Sequence, residues 1–271
     1  MNRPKQSGFV RAGHQTKHRL IMATKAMQKA GKSYLGLTMP APLAVIALEP
    51  GLDGVIERFQ DHKEIFVADY VAEIEELRRE VVDAAKALPA REKSTEDSVA
   101  DHGHAANMRA ARDILNRMKV DYLEALGEAK SVFMDTGTEL WRLIRVANLG
   151  KVEQVKGRYY GNANQEMLSF VRSAYSSDAN VLFSHRLKKE YANDKPTGNL
   201  EMAGFGEMEF EVQLVVQQWK EQEESIPDRF HSMITDCRLD PAKEGEEFQG
   251  ETNTFAFIAA SVFGNDPAEW E

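Results

Sequence analysis

Gly31-Lys32-Ser33 sets a backbone free to turn, an ammonium group and a hydroxyl directly one after another. Between a strand and a helix, such a run aims backbone N–H groups at an anion. It also lets the lysine meet phosphate oxygens and offers the serine hydroxyl to Mg2+. The full window is Ala26-Met27-Gln28-Lys29-Ala30-Gly31-Lys32-Ser33, with Tyr34 next. It meets the phosphate-loop pattern G-x4-G-K-[ST] in part, because Ala26 stands where the first glycine belongs. Alanine there narrows the range of φ that glycine leaves open.

Three more polar residues each close an apolar run of strand length. Pro42 to Leu48 leads into Glu49, Ser131 to Met134 into Asp135, and Asn180 to Ser184 into His185. In an open parallel sheet, ligands bind beyond the carboxyl ends of the strands, so these residues and the loop are expected to meet. The chemistry they would share is that of a nucleoside triphosphate. Ser33 and Asp135 would hold Mg2+, Lys32 would neutralise phosphate charge, Glu49 would orient or deprotonate a water, and His185 would sense the γ-phosphate.

The elements that must position these groups are read from periodicity. Leu20 to Ala23 predicts the first strand and Tyr34 to Leu37 the start of a helix. Pro42 to Leu48, apolar throughout and stopped by Glu49-Pro50-Gly51, fits a strand buried on both faces. From about 64 to 88, Val67, Val71, Ile74, Leu77, Val81, Ala85 and Leu88 recur at helical spacing. Met108, Ala111, Leu115, Met118, Tyr122 and Leu126 repeat the stripe, with a charged connector over 90–101 between. The pair predicts a helical hairpin inserted at about 64–128. A further helix is expected from Leu140. After 207, alternation in Met208, Phe210, Val212 and Leu214, and then Met233 to Cys237, predicts antiparallel strands. The expected fold is α/β, with a mainly parallel sheet, the helical insertion and an antiparallel β extension near the C-terminus. A basic arm over 1–19 precedes one domain over 20–271.

Composition narrows the classes. With 42% hydrophobic and 28% charged residues in 271, the chain is neither disordered nor fibrous. Its single cysteine, Cys237, closes no internal disulfide and reads as a strand residue. No apolar run approaches the length of a membrane span, and the N-terminus lacks the apolar core of a secretory signal, so no membrane contact and a cytoplasmic location are expected. A net charge of −9 argues against coating duplex DNA, whereas residues 1–48 hold Lys and Arg but no Asp or Glu. That arm reads equally as a nucleic-acid or subunit contact and as a solvated terminus. Asp101-His102-Gly103-His104 has too few donors for a metal site and reads as a helix-leading connector. No G-x-S-x-G elbow is present, which weighs against a serine hydrolase.

Lys29-Ala30-Gly31-Lys32-Ser33, the strand ending Leu48-Glu49-Pro50-Gly51, Val132 to Leu140 and Val181 to His185 occur in the order seen in phage-encoded P-loop ATPases. Over roughly 18–265 the chain resembles the RecA-like, Sak-type group of phage single-strand annealing and recombination ATPases. The resemblance implies ATP and Mg2+ as ligands, Lys32 and Ser33 on phosphate and Mg2+, and Asp135 as the Walker B acid. It further implies Glu49 as the catalytic glutamate and His185 as the sensor. It also implies single-stranded DNA as partner, assembly into a ring or filament, and a host bacterial cytoplasm. Lys29, where many relatives carry glycine, departs from the pattern, as does Ala26.

Two basic stretches with tyrosines suit single strands, where cations follow phosphates and rings stack on bases. One is Lys151, Lys156, Arg158, Tyr159 and Tyr160, which reads equally as a solvated helix end. The other is a loop after His185 with Arg186, Lys188, Lys189, Tyr191 and Lys195, in which Arg186 or Lys188 is a candidate finger onto a neighbour's γ-phosphate. The alternative function is a nucleotide-dependent scaffold or regulatory protein that binds ATP and scarcely hydrolyses it. A third is a packaging or helicase motor subunit, for which no motif beyond the two Walker elements is present.

Overall fold

The computed structural model describes residues 19–87, 102–150, 159–192, 195–221 and 229–271. Residues 1–18 of the basic arm, the whole connector over 90–101, and Lys151, Lys156 and Arg158 lie outside them. Arg19, counted with the arm, is buried. Its guanidinium donates to the carbonyls of Ser177 and Tyr175 at 2.8 and 2.7 Å.

Strand β1 (Ile21–Ala26) runs into the loop and then α1 (Lys32–Leu37). β2 (Leu43–Ala47) and β3 (Ile65–Asp69) follow, then α2 (Val71–Ala87), α3 (His102–Glu128) and β4 (Ser131–Asp135). Next come α4 (Gly137–Leu149), α5 (Gly161–Ser176), β5 (Asn180–Ala192) and β6 (Lys195–Met202). A short α6 (Met208–Glu211), β7 (Leu214–Glu221), β8 (Arg229–Cys237), β9 (Glu247–Gln249) and α7 (Phe255–Phe263) complete the order. The sheet runs β3-β2-β4-β5-β1-β7-β8-β9, with β6 paired only to β5. Every neighbour pair from β3 to β7 is parallel, and β8 and β9 extend the sheet antiparallel.

The sheet divides the core into two layers. Ile21, Ala23, Val132, Met134, Val181 and Phe183 face α2 to α5, whereas Met22, Phe133 and Leu182 face α1 and α7. Strands buried on both faces have no polar side to alternate, which explains their continuous apolar runs. α1 can sit this close to the sheet because residue 36 is glycine. A Cβ there would lie 2.4 Å from Phe133 Cε1, inside van der Waals contact.

Three expectations are corrected. Residues 65–69 form β3 and not the start of a helix: Leu43 to Ala47 offer a parallel ladder, and helix begins only at Val71. The strand through His185 does not stop there, because β6 gives it an antiparallel partner from Leu187 to Ala192. The supposed basic loop is therefore one arm of a hairpin. Met208 to Glu211 are helical, and Leu214 to Gln218 pair parallel to β1, so the antiparallel part starts only at β8. The two long helices form the crossover from β3 to β4. Their stripes (Ile74, Leu77, Val81; Ala111, Leu115, Met118, Tyr122, Leu126) are core. Cys237 closes β8 and is buried.

Candidate nucleotide site

The site is built where β2 and β4 end side by side, with the end of β1 beyond β5 on the same edge. Ala47 is level with Asp135, so Glu49 and Asp135 leave the same edge, and the loop after β1 leaves it two strands away. One cavity of about 590 Å3 is lined by Gln28 to Tyr34, Glu49, Pro50, Gly51, Asp135 and Thr136. Phe230 from β8 and Asp53, Val55 and Arg58 complete its wall.

The loop's shape rests on two residues of positive φ, Lys29 at 60° and Gly31 at 95°. Glycine adopts this region freely, and a lysine there costs about 1 kcal/mol. A Cβ on Gly31 would also press on Phe230 Cδ1 at 3.1 Å. Ala26, expected to constrain the loop entry, is the last residue of β1, where extended backbone suits alanine. The conformational demand falls on Lys29 instead. Ala26 and Met27 do not line the cavity, but the Met27 carbonyl accepts the Lys32 ammonium at 3.0 Å.

Lys32 is held near two carboxylates. Burial lowers its pKa, while Asp135 and Glu49 oppose that change. Ser33 Oγ donates to Asp135 Oδ2 at 3.1 Å and Ser184 Oγ donates to Oδ1 at 2.8 Å, so both carboxylate oxygens are fixed. A Cβ on Gly51 would fall 3.4 Å from Ser33 Oγ and 3.5 Å from Asp135 Oδ2. The glycine thus keeps open the space between a hydroxyl and a carboxylate, a hard-oxygen donor set that fits Mg2+. Glu49 receives Thr136 Oγ1 on Oε1 at 2.6 Å and Arg186 Nη2 on Oε2 at 2.8 Å. Tyr34 lines the cavity and meets Phe59 edge-on, ring centroids 5.4 Å apart.

His185 lies apart from this group. It is fully buried midway along β5, with Nδ1 3.3 Å from the Ala203 carbonyl and Nε2 without a hydrogen-bond partner. A Cβ on Gly137 would come within 2.6 Å of its ring, so it packs beneath α4 and does not line the cavity. Burial pushes its pKa down to about 4, which leaves it neutral at ordinary pH.

Burial pushes the Asp135 carboxyl up to about 6, against the pull of Ser184, Ser33 and Lys32. Its folded pKa thus exceeds the unfolded value near 3.9, so the folded chain keeps a proton that the unfolded chain releases between about pH 4 and 6. The stability this supplies is complete below about pH 4 and lost as pH rises through 6. Asp135→Asn is therefore expected to raise the unfolding free energy at pH 8 by about 1 to 3 kcal/mol. It should also flatten the slope between pH 4 and 6 in urea titrations. Mg2+-dependent nucleotide affinity should be lost in the same variant, since an amide replaces the charged ligand.

The profile of the AAA domain family matches residues 19–217, which include the loop, Glu49, Asp135 and Arg186. The chain belongs to the AAA domain family. This AAA domain is a P-loop NTPase domain, and families of that kind use ATP and Mg2+. Among solved structures it is similar to a KaiC-like protein from the hyperthermophilic archaeon Pyrococcus horikoshii OT3. Identity is 11% and the TM-score 0.41, over 85% of this chain and 84% of that one. No curated protein sequence matches it.

Sequence reasoning missed several parts of this AAA domain's site. Thr136 and Ser184 adjoin residues already singled out, so adjacency was an available signal. Phe230 and Gln218, whose Nε2 donates to the Gly31 carbonyl at 3.4 Å, come from late strands that no local pattern links to the loop. Arg186, with Lys188 a candidate finger onto a neighbour's γ-phosphate, pairs with Glu49 of its own chain. Tyr160 stacks on Trp141 with ring centroids 6.2 Å apart and lies under the Arg145 guanidinium, so its ring is engaged internally. Side chains of His102 and His104 lie outside the description. Among the described residues no cluster could hold a metal ion through His, Cys, Asp and Glu alone, and no helix is long and apolar enough to cross a membrane.

Proposed function

We propose that this chain hydrolyses ATP and acts on single-stranded DNA in phage recombination or replication, as a RecA-like ATPase of the Sak type that assembles into a ring or filament in the host cytoplasm. The observation that carries the reading is the convergence of Lys32, Ser33, Asp135 and Glu49, from three strand ends, on one cavity.

Lys32 would exchange the Met27 carbonyl for phosphate oxygens, replacing a neutral acceptor by an anionic one. Ser33 and Asp135 would hold Mg2+, which supplies charge neutralisation at the phosphates when bound. Glu49, already oriented by Thr136, would position water and accept its proton. His185 is left as a buried neutral prop beneath α4.

The DNA arm of the proposal rests on the β5–β6 hairpin. β5 crosses the sheet's carboxyl edge and carries Lys188, Lys189 and the exposed Tyr191, opposite Lys195 and the exposed Leu200. Cations beside an exposed ring suit an unpaired strand. The test is phosphate release from ATP with and without single-stranded DNA. Turnover that DNA raises about fivefold or more, with a gain that shrinks as salt rises, is expected. Turnover indifferent to DNA would remove the DNA arm, and nucleotide binding without turnover would leave the scaffold reading.

A further inference from the structure

Arg186 stands between two carboxylates. Its Nη2 is 2.8 Å from Glu49 Oε2 and 3.6 Å from Glu139 Oε1, and its Nε donates to the same Glu49 oxygen at 3.2 Å. Because one nitrogen faces both acids, a shift of less than about 1 Å toward Glu139 turns the longer contact into a hydrogen bond, and release of Glu49 requires Nε to leave with it. Glu139 is built to receive it. Its carboxylate is almost wholly buried at the start of α4 and already accepts Arg78 Nη2 at 2.9 Å and Arg142 Nη1 at 2.6 Å. A carboxylate offers about four lone-pair sites, so room for a third donor remains.

Arg186 Nη2 and Nε both donate to Glu49 Oε2 and Thr136 Oγ1 donates to Oε1, so three of about four lone-pair sites on Glu49 are taken, against two on Glu139. A general base must turn a lone pair to the water it deprotonates. We propose that Arg186 is a positioning residue that latches Glu49 in a resting state, and that turnover proceeds from the minor population in which Arg186 has moved onto Glu139. The inference rests on the reading of Glu49 as the group that directs water. It differs from a finger aimed at a neighbour, because both partners belong to the same chain. The exchange is a rotamer hop of a half-exposed side chain and is fast relative to turnover, so the population alone sets the rate.

The two partners predict opposite signs. Arg186→Ala removes the latch and is expected to raise the rate of phosphate release about fivefold, the population penalty of a partly exposed ion pair, with nucleotide affinity changed far less. Glu139→Gln removes the alternative seat and is expected to lower the rate by a similar factor. Glu49→Gln placed in the Arg186→Ala background should return turnover to background. Phosphate release and fluorescent-nucleotide titration on wild type and these variants decide the matter. An Arg186→Ala protein that turns over at or below the wild-type rate overturns the latch. Turnover that survives Glu49→Gln in that background overturns instead the role of Glu49 on which the latch depends. Arg186 is on the surface side of the pair, so its variant carries the test even if Glu139→Gln does not fold.

Discussion

Lys32→Ala is expected to abolish ATP turnover and to weaken nucleotide binding together. The ammonium sits over the loop on the Met27 carbonyl, with Asp135 and Glu49 close enough to favour its charge. A charge-assisted bond to phosphate contributes about 1.5 to 3 kcal/mol, so nucleotide affinity should fall about 10- to 100-fold. The rate should fall further, by about 100- to 1,000-fold, because negative charge shifts onto oxygens that the lysine no longer meets. Folding should survive, since Lys32 makes no hydrogen bond beyond its own loop among the described residues. Fluorescent-nucleotide titration and phosphate release on the same preparation separate the two effects. Unchanged affinity would place the nucleotide away from this loop.

Glu49→Gln should separate binding from turnover where Lys32→Ala does not. The glutamine keeps an acceptor for Thr136 Oγ1 but loses basicity and its ion pair with Arg186. General-base catalysis contributes about 100- to 10,000-fold, so phosphate release should drop by that factor while nucleotide affinity stays within about threefold. Stability should move by no more than about 1 kcal/mol, because the pair is partly open to solvent. A Glu49→Gln protein with the wild-type rate would assign water activation to another group. Asp135 is a poor substitute, since it is almost wholly buried between Ser33 and Ser184 and is the carboxylate that would hold Mg2+.

Much of this site is legible in the amino-acid sequence. Gly31-Lys32-Ser33 follows from the phosphate-loop pattern, and Glu49 and Asp135 from one rule, that polar residues closing apolar runs gather at one edge of a parallel sheet. The rule failed at His185. An apolar run that ends does not mean that a strand ends, and β5 continues on main-chain hydrogen bonds that β6 supplies. The loop pattern misjudged Ala26, because loop patterns record residue types and the φ values belong to Lys29 and Gly31.

What the sequence determined by itself is therefore local. Unbroken apolar runs at Leu43 to Ala47, Val132 to Met134 and Val181 to Phe183 leave no polar face, so a sheet covered on both sides follows. The stripes at Ile74 to Val81 and Ala111 to Leu126 follow the helical period and bury against that sheet. The tertiary structure decided whatever depends on a distant partner. Ile65 to Asp69 became a strand because Leu43 to Ala47 offered a ladder, and strand preference is set by such neighbours more than by the residues themselves. Arg186 came to Glu49, and Phe230 and Gln218 to Gly31, only once β5, β7 and β8 took their places in the sheet. Side-chain pairs across such separations leave no periodic trace in the chain, because nothing local distinguishes an arginine that will meet a carboxylate from one that will meet water.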